Sequence, residues 1–401
     1  MNIQKHILIF GLQPWDTTMG SNCKNLALEF SKQHKVLYVN RPISRFELIK
    51  REKTSVAQNR VAVINGNKPS LEQVSPTLWV LTPPIVTESI NWIPSYKIFQ
   101  KFNYWNNYRL ARIIKRYLKQ LNFKEFVLFN DSSMFMGFYL KELLTPDLFI
   151  YYIRDYLISQ KYFKAHGKKA EKHLIQKANI VTCNSEYLRQ YAEQYNSNAY
   201  YVGQGCDLEA FSPYISTERP TYLKQLSKPI IGYVGLLTSR RLNIQLLEQL
   251  AANNPQWDWV LVGPEDDHFK QSSLHQLSNV HFLGFQPADK LARYIKGFDV
   301  CINPQQLNEM SKGNYPRKID EYLAMGKPVV ATQTPTMQTF KNYVYLAHNV
   351  ESYTQQLDRA LQEDSVTKRK NRIDFAQTHT WKNSADLIIQ HIYKTPNYDF
   401  S

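Results

Sequence analysis

The sequence contains little cysteine and no long apolar run, and each shortage excludes a class of protein. The four cysteines of the 401-residue chain, Cys23, Cys183, Cys206 and Cys301, lie far apart. They form neither a CxxC metal motif nor a dense disulfide framework, and such sparse cysteine is typical of a reducing compartment. No stretch of about 18 apolar residues is present, and the apolar run near the N-terminus is too short for a signal peptide. We therefore expect a cytoplasmic chain that does not span a membrane.

Internal repeats are missing too, as are RNP, KH, zinc-finger and Walker signatures. The absence of these motifs counts against a basic nucleic-acid-binding protein. Hydrophobic residues make up 43% of the chain and aromatic residues 13%, which is enough for hydrophobic cores and unlike a disordered protein. A chain of this length is expected to form two domains.

Positive charge is concentrated in the first half of the chain. Residues 1–200 hold 28 Lys and Arg against 14 Asp and Glu, whereas residues 201–401 hold 21 against 20, and the net charge is +15. We expect the first half to seek an anionic surface or substrate. Nucleic acid and an anionic membrane leaflet are the two candidates.

Apolar strand-like runs alternate with helical patterns, which predicts an α/β fold with mainly parallel sheets. The pattern restarts near residues 203–213, so we expect two doubly wound, Rossmann-like domains at 1–205 and 206–382. A C-terminal helix at about residues 383–401 is expected to pack back on the first domain. The predicted elements include a strand at 61–64, helices at 104–121 and 134–144, and a helix capped by Asp289.

Three glycines follow predicted strands of the second half. Gly235, Gly263 and Gly284 stand where the carboxyl ends of parallel strands would lie, which is where such folds bind ligands. Glycine lets a ligand approach the backbone closely, although a tight turn explains any single glycine equally well. The repetition favours a shared ligand crevice.

The segment NYPRKIDEYLAMGKPVVAT carries the most information. It predicts a helix that begins at Pro316 and is ended by Gly326 in a left-handed turn, followed by a short buried strand. Arg317 and Lys318 place cations in the first helical turn, where the helix dipole disfavours them but a phosphate would be stabilised. Glu321 projects to the same side as Lys318 and could hold sugar hydroxyls. The alternative is a solvated helix start with an Arg317–Glu321 ion pair.

These motifs resemble glycosyltransferases with the two-domain GT-B fold. Five segments of the second half follow one another in the same order as in the donor domain of glycosyltransferase family 4: GYVGLLTSRRLNIQLLEQLA, WDWVLVGP, VHFLGFQP, FDVCINP and KIDEYLAMGKPVVAT. Two segments resemble the first domain of that family and the linker that follows it: KAEKHLIQKANIVTCNSEYL and VGQGCDLEAFSP. The resemblance is greatest to bacterial enzymes of teichuronic-acid and capsule-like polymer synthesis. It implies an acceptor-binding and a donor-binding domain that face a central cleft.

The resemblance also implies roles for individual residues. Glu321 would hold the ribose hydroxyls of a nucleotide-sugar, Lys318 would contact its diphosphate, and Arg241 would neutralise the leaving phosphates. The implied donor site is completed by Gly235, Gly263, Phe285, Asn314 and Tyr315.

The sequence departs from the family pattern at two positions. Gly313 stands eight residues before Glu321, where the family often has a second glutamate. Leu236 directly follows Gly235, where the family often has a basic residue. Both departures concern how the donor sugar is positioned, and with it the retaining mechanism that the family implies.

Candidate acceptor residues lie in the first half. Gly20 and Ser21 open a predicted helix as a family acceptor loop would, and a plain cap by Ser21 is the alternative. Arg154 and Asp155 follow a buried strand, where Asp155 could deprotonate an acceptor or simply pair with Arg154. His166 could contact the donor, although a lone histidine on a basic helix is often merely solvated.

The predicted helix at 104–121 has a basic outer face. The outward side is predicted to carry five cations, with Trp105 and Tyr108 near the start of the helix: Arg109, Arg112, Lys115, Arg116 and Lys119. Cations beside aromatic residues suit the headgroups of an anionic membrane. The alternative is the charged solvent face of a core helix.

Taken together, the residues and the resemblance predict a metal-independent, retaining glycosyltransferase. It would use a nucleotide-sugar donor and no cofactor, and it would modify a glycan or lipid-linked acceptor of the envelope. It would associate peripherally with the inner membrane and bind no nucleic acid. A sugar-nucleotide epimerase of the same fold is the alternative.

Overall fold

A computed structural model describes residues 6–17, 20–50, 54–214 and 218–395. The chain divides into two compact units. Unit 1 holds the residues up to Gly203 and the segment that starts at Ser384, and unit 2 runs from Gln204 to Asn383. The first boundary lies two residues before the one expected from the sequence. Both units are built from parallel sheets and helices, so the predicted α/β class is confirmed.

Unit 1 alternates strands and helices along the chain. Its strands are β1 (His6–Gly11), β2 (Val36–Val39), β3 (Ile43–Ser44), β4 (Leu71–Ser75), β5 (Leu78–Leu81), β6 (Val86–Thr87), β7 (Phe126–Asp131), β8 (Leu148–Ile153), β9 (Ile180–Cys183) and β10 (Ala199–Tyr201). Its helices are α1 (Asn22–Phe30), α2 (Arg45–Ile49), α3 (Ser55–Ile64), α4 (Tyr96–Gln120), α5 (Leu140–Leu144), α6 (Lys161–Lys164), α7 (Gly167–Lys177) and α8 (Glu186–Glu193).

The main sheet of unit 1 has eight strands within the described residues, in the order β10-β9-β8-β7-β1-β2-β5-β4. Neighbouring strands are parallel except β4 and β5, which are antiparallel. All six residues of β7 and of β8 are buried, as expected for strands covered on both faces. The strand order reverses between β1 and β7, which makes their carboxyl ends the point where this topology binds ligands.

Unit 2 repeats the pattern. Its strands are β11 (Ile230–Val234), β12 (Asp258–Val262), β13 (Val280–Phe282), β14 (Val300–Asn303), β15 (Val329–Thr332) and β16 (Tyr345–Ala347). Its helices are α9 (Thr221–Gln225), α10 (Ile244–Asn253), α11 (Asp267–Lys270), α12 (Leu291–Gly297), α13 (Glu309–Lys312), α14 (Lys318–Ala324), α15 (Val350–Gln362) and α16 (Val366–Ala376), and α17 (Trp381–Tyr393) leads back into unit 1. The sheet order β13-β12-β11-β14-β15-β16 is that of a Rossmann domain, with its reversal between β11 and β14.

Two local predictions in unit 1 are wrong. Residues 61–64 belong to α3 and not to a strand, because Thr54 caps a helix there and Arg60 is buried against Asp16 in a 2.9 Å ion pair. The helix expected at 134–144 is confined to Leu140–Leu144, because Ser133 and its neighbours form turns fixed by the Asn130 side chain.

The boundaries of two other helices were also misplaced. Helix α4 starts eight residues before the expected position, after Ser95. Of the five cations expected to point outward, four are exposed, but Arg109 is half-buried and donates to the Val86 carbonyl at 2.9 Å. Asp289 does not cap the following helix, because it lies within a single 3-10 turn that precedes α12.

Candidate functional site

The ends of β11 and β12 approach each other closely. Gly235 and Gly263 have φ values of +140° and +148°, a region that favours glycine. A Cβ at Gly263 would lie 1.9 Å from the Gly235 carbonyl oxygen, and a Cβ at Gly235 would lie 3.0 Å from the Lys318 ammonium. Glycine is therefore required at Gly263 by the neighbouring backbone, and the approach of a ligand to these strand ends stays a prediction.

The loop after Gly235 is held rigidly. Leu237 donates to the Pro264 carbonyl and accepts from the Asp266 amide, both at 2.9 Å. The amide and hydroxyl of Ser239 donate to the Asp266 carboxylate at 2.8 and 2.9 Å. Burial raises the pKa of Asp266, but these hydrogen bonds and the one from Phe269 outweigh it and lower the pKa to about 2. Arg241 follows in this braced loop.

Helix α14 is anchored to the end of β11. The Val234 amide donates to the Tyr322 hydroxyl at 2.9 Å, and that tyrosine is fully buried. The helix begins at Lys318, with Arg317 as its N-cap, so it starts two residues after the predicted position at Pro316. This anchoring fixes the first helical residue beside the two glycines.

Lys318 is the cation nearest the end of β11. Its ammonium donates to the Tyr233 hydroxyl and lies 3.9 Å from the centre of that ring. Burial lowers the pKa of Lys318 to about 7; Glu321 raises it, while Arg241 and Arg317 lower it further. Two arginines and one carboxylate therefore act on Lys318 here, and a bound anion would relieve the repulsion that the arginines exert on its ammonium.

Glu321 is the carboxylate of this group. It accepts from the Arg317 guanidinium at 3.1 Å, so the ion pair considered as an alternative from the sequence is present. Burial raises the pKa of Glu321, while Arg317 and Lys318 act in the opposite direction. The Glu321 side chain is only 13% exposed, so it is held in place and not free to swing into solvent.

The remaining residues of the predicted donor site differ in exposure. Tyr315 is buried, and its hydroxyl donates to the Asp320 carboxylate at 3.2 Å. His379 donates to the same carboxylate at 2.7 Å, a support for α14 that gave no signal in the sequence. Phe285 is highly exposed after β13, and Asn314 is half-buried before α14. The Tyr315 side chain thus braces the helix that carries Lys318.

In unit 1, three candidate acceptor residues, Ser21, Arg154 and Asp155, have structural partners. Ser21 accepts from the Lys24 amide at 3.3 Å and caps α1, as the alternative interpretation expected. Arg154 is buried and donates to Asp131 at 2.8 Å and to Asp155 at 3.1 Å. The ion pair expected for Asp155 is therefore present, and its carboxylate is about one-third exposed.

Gly20 is exposed before α1, and Met19, which precedes it in the predicted loop, lies outside the described residues. His166 is buried, so the alternative of a solvated histidine is wrong, and its contact with a donor stays a prediction. Its Nε2 donates to the Ile93 carbonyl at 2.7 Å, and its ring stacks on Phe99 at 4.1 Å. These contacts join the start of α7 to α4.

A cavity of about 750 Å³ lies in unit 1 and was not predicted. Its lining includes Leu12 after β1, Arg41 after β2, Ser133 after β7 and Leu157 after β8. These positions follow the carboxyl ends of neighbouring strands, around the reversal of strand order between β1 and β7. The candidate acceptor residues Gly20, Ser21, Arg154, Asp155 and His166 are not among the lining residues.

Two features are absent from the part of the chain that the structure describes. No group of three or more His, Cys, Asp or Glu side chains there is arranged to hold a metal ion. None of the helices described is long and apolar enough to cross a membrane.

Solved structures resemble the chain over nearly its whole length. Sucrose-phosphate synthase from Thermosynechococcus elongatus is 17% identical, with a TM-score of 0.69 over 96% of this chain and 98% of that one. An α,α-trehalose-phosphate synthase (UDP-forming) from Burkholderia vietnamiensis is 10% identical, with a TM-score of 0.72 over 98% and 97%. The chain has the GT-B glycosyltransferase fold. HepE of Anabaena, solved with UDP and glucose, is 16% identical, with a TM-score of 0.62 over 97% and 99%.

Sequence comparison supports the GT-B assignment. Residues 228–363 match the family described as glycosyl transferases group 1, and this stretch contains Gly235, Arg241, Lys318 and Glu321. TuaH of Bacillus subtilis (strain 168), named for a glycosyltransferase role in teichuronic acid biosynthesis, is 27% identical over 228 residues. That match spans 53% of this chain and 56% of TuaH. The stretch that matches the family lies entirely within unit 2.

Proposed function

We propose that this GT-B protein transfers a sugar from a nucleotide-sugar to a hydroxyl group of an envelope glycan. The observation that carries the proposal is the group of charges at the end of β11. Arg241, Arg317 and the carboxylate of Glu321 all act on Lys318 there, and Gly235 brings the backbone next to the Lys318 ammonium. Cations suit a diphosphate, and a held carboxylate suits the hydroxyl groups of a ribose.

The reaction defines what these residues must do. A bond forms between the acceptor oxygen and the anomeric carbon, the bond from that carbon to the diphosphate breaks, and the proton of the acceptor hydroxyl passes to the departing diphosphate. Negative charge grows on the departing diphosphate, so fixed cations stabilise the transition state more than the ground state. Lys318 and Arg241 supply this charge in our proposal, and no metal ion or cofactor is required.

The relatives support the finer parts of the proposal. HepE was solved with UDP and glucose, which favours a nucleoside-diphosphate sugar as the donor. The name of TuaH favours an envelope polymer as the product. We further propose a lipid-linked acceptor at the inner membrane face and a retaining outcome. The basic first half of the chain supports the membrane part, because it would be attracted to anionic lipid.

The proposal is tested by two substitutions in α14. Glu321→Ala and Lys318→Ala are each expected to lower sugar transfer at low donor concentration by at least about 100-fold, the scale of losing a charged hydrogen bond in a transition state. Transfer is measured from a panel of labelled nucleotide-sugars to extracted bacterial lipid. Asp267→Ala, at an exposed carboxylate on α11, is the matched control and is expected to retain activity. Full activity in both α14 variants would refute the donor assignment.

A further inference from the structure

The cavity of unit 1 has the size of a small-ligand site. Its volume of about 750 Å³ falls within the range of about 300–1,000 Å³ that is usual for such sites. Its lining mixes polar side chains such as Asn103, Asn106 and Gln160 with aromatic ones. This mixture suits an amphipathic molecule that carries hydroxyl groups.

Large apolar side chains project into solvent at this cavity. Phe46, Trp92 and Tyr162 line it and are 54%, 78% and 58% exposed. Ile49 follows Phe46 by three residues on the same face of α2 and is 71% exposed. We call these four side chains the apolar rim. Exposed apolar groups collected in one place mark an interaction site, whereas scattered ones do not.

The rim is held in this exposed arrangement by polar contacts. The Phe46 amide donates to the Ser89 hydroxyl at 3.0 Å, and the Trp92 indole donates to the Ser89 carbonyl at 2.7 Å. Asn91 donates to the Tyr162 carbonyl. These contacts tie α2, the segment before α4 and α6 together, so the exposure of the rim is built into the fold.

The chain next to the rim is strongly basic. Residues 89–124 contain eight Lys and Arg and no Asp or Glu. On the outer face of α4, Ile98, Phe102 and Trp105 are exposed and follow the i, i+4, i+7 spacing of one helical stripe. Arg112 and Arg116 continue that stripe and are exposed as well. An apolar edge that merges into a cationic face is complementary to anionic headgroups above acyl chains.

We propose that the cavity is an acceptor site filled from an anionic bilayer, with the apolar rim inserted among the lipid chains. The exposed cations of α4 then lie at the headgroups, and a lipid-linked acceptor can reach the cavity without crossing water. The identity of the cavity's occupant as an acceptor rests on the proposed function. The insertion of the rim does not, because it is a property of the surface alone.

Insertion is tested with vesicles of equal parts phosphatidylglycerol and phosphatidylcholine. The full chain is expected to bind them, and the triple variant Phe46→Ser, Ile49→Ser, Trp92→Ser is expected to bind at least about tenfold more weakly. Val366→Ser, at an exposed apolar residue of unit 2, is the matched control and is expected to bind like the wild type. All the changed side chains are exposed and the substitutions remove one side-chain hydrogen bond, that of the Trp92 indole, so the thermal unfolding temperature should change little. Equal binding by the triple variant and the wild type would overturn the proposal.

The depth to which the apolar rim inserts is measured by the quenching of tryptophan fluorescence by lipids with brominated acyl chains. The tryptophan fluorescence of the wild type is expected to be quenched by these lipids, and the quenching is expected to be much smaller in Trp92→Phe. Quenching that is unchanged in Trp92→Phe would overturn insertion at the rim. Binding of duplex DNA at physiological salt without vesicle binding would also overturn it, because the basic face would then serve nucleic acid.

Occupancy of the cavity is tested by filling it. Gln160 lines the cavity and is half-buried, so Gln160→Trp should obstruct it and Gln160→Ala should not. Dodecyl maltoside, added below its micelle concentration, is expected to bind Gln160→Trp at least about tenfold more weakly than Gln160→Ala. Equal binding would overturn the assignment of the cavity. Nucleotide binding, measured on the same variants, should be unchanged; its absence from the wild type would refute the proposed function and leave the vesicle results standing.

Discussion

The ammonium of Lys318 lies 3.9 Å from the centre of the Tyr233 ring and donates to its hydroxyl. Tyr233 belongs to β11 and Lys318 begins α14, so this contact joins the first strand of the Rossmann unit to the helix that carries Glu321. Burial lowers the pKa of the ammonium to about 7. The side chain is therefore poised to gain a proton when an anion arrives, which links diphosphate binding to pH.

The pH dependence has a definite sign. With a pKa of about 7 for Lys318 in the free protein and a higher pKa beside a bound diphosphate, binding takes up a proton above pH 7. Affinity is then fully present below about pH 7 and falls by up to about tenfold per pH unit above it. Calorimetry of UDP binding in buffers of different ionisation enthalpy measures this uptake.

Lys318→Met provides the control for the proton. The variant is expected to bind weakly at every pH and without proton uptake, and its affinity should meet that of the wild type in alkaline buffer. If the affinity of the variant still falls with rising pH as in the wild type, another group takes up the proton.

Arg241 and Arg240 form a matched pair in the loop after β11. Arg241 acts on both Lys318 and Tyr233, whereas Arg240 does not figure among the groups that act on either. Arg241→Ala is expected to weaken diphosphate binding about tenfold, which is the scale of a charge-assisted contact. Arg240→Ala should change it less than about twofold. Affinity is measured by calorimetry. If the two variants lose diphosphate affinity equally, the net charge of the loop and not the position of Arg241 determines binding.

The close approach of the strand ends predicts a stability difference between two glycines. Gly263→Ala would place a Cβ 1.9 Å from the Gly235 carbonyl oxygen at a φ of +148°, so unit 2 should lose at least about 3 kcal/mol of unfolding free energy. Gly284→Ala has a φ of +60° and open space and should cost about 1 kcal/mol. Denaturant unfolding followed by the fluorescence of unit 2 compares them. A smaller loss at Gly263 than at Gly284 would contradict the geometry.

A buried carboxyl in unit 1 gives an independent prediction. Glu171 is 1% exposed, and burial raises its pKa to about 7 although Tyr191 and Tyr151 donate to it. The folded state then holds a proton that the unfolded state releases near pH 4.5, so stability falls as pH rises from there to about 7.

Glu171→Gln removes the loss of stability that comes from ionising a buried carboxyl. The variant should be more stable than the wild type above pH 7, by at most about 3 kcal/mol, and the gain should shrink towards pH 5. Thermal unfolding at the two pH values measures the difference. A gain that does not depend on pH would show that Glu171 keeps an ordinary pKa.

Local sequence predicted the parts of the fold that depend on local physics. Gly326 ends α14 with a φ of +70°, as its place before Pro328 indicated. Hydrophobic periodicity gave the wrong secondary structure where a residue distant in sequence stabilises the element. Residues 61–64 are helical, and Arg60 of the same helix pairs with Asp16, which is 44 residues away. Such a pairing leaves no trace in a short window of sequence.

The candidate donor site was more predictable than the cavity. The former depends largely on one contiguous motif around Lys318 and Glu321, whose charges stand out in the sequence. The cavity is assembled from separate segments at 41–47, 87–92, 133–136 and 157–163, and nothing in any one segment predicts that they meet. The burial of His166 also depends on contacts from another helix, so the sequence suggested a solvated side chain.

The claim that a diphosphate is bound at the charge group of unit 2 is tested most directly by calorimetry. UDP, GDP and dTDP are titrated into the full chain alongside uridine, guanosine and thymidine. We expect one diphosphate to bind at least about 100-fold more tightly than its nucleoside, and Lys318→Ala to remove that difference. No binding by any diphosphate, or equal binding by a diphosphate and its nucleoside, would contradict the claim.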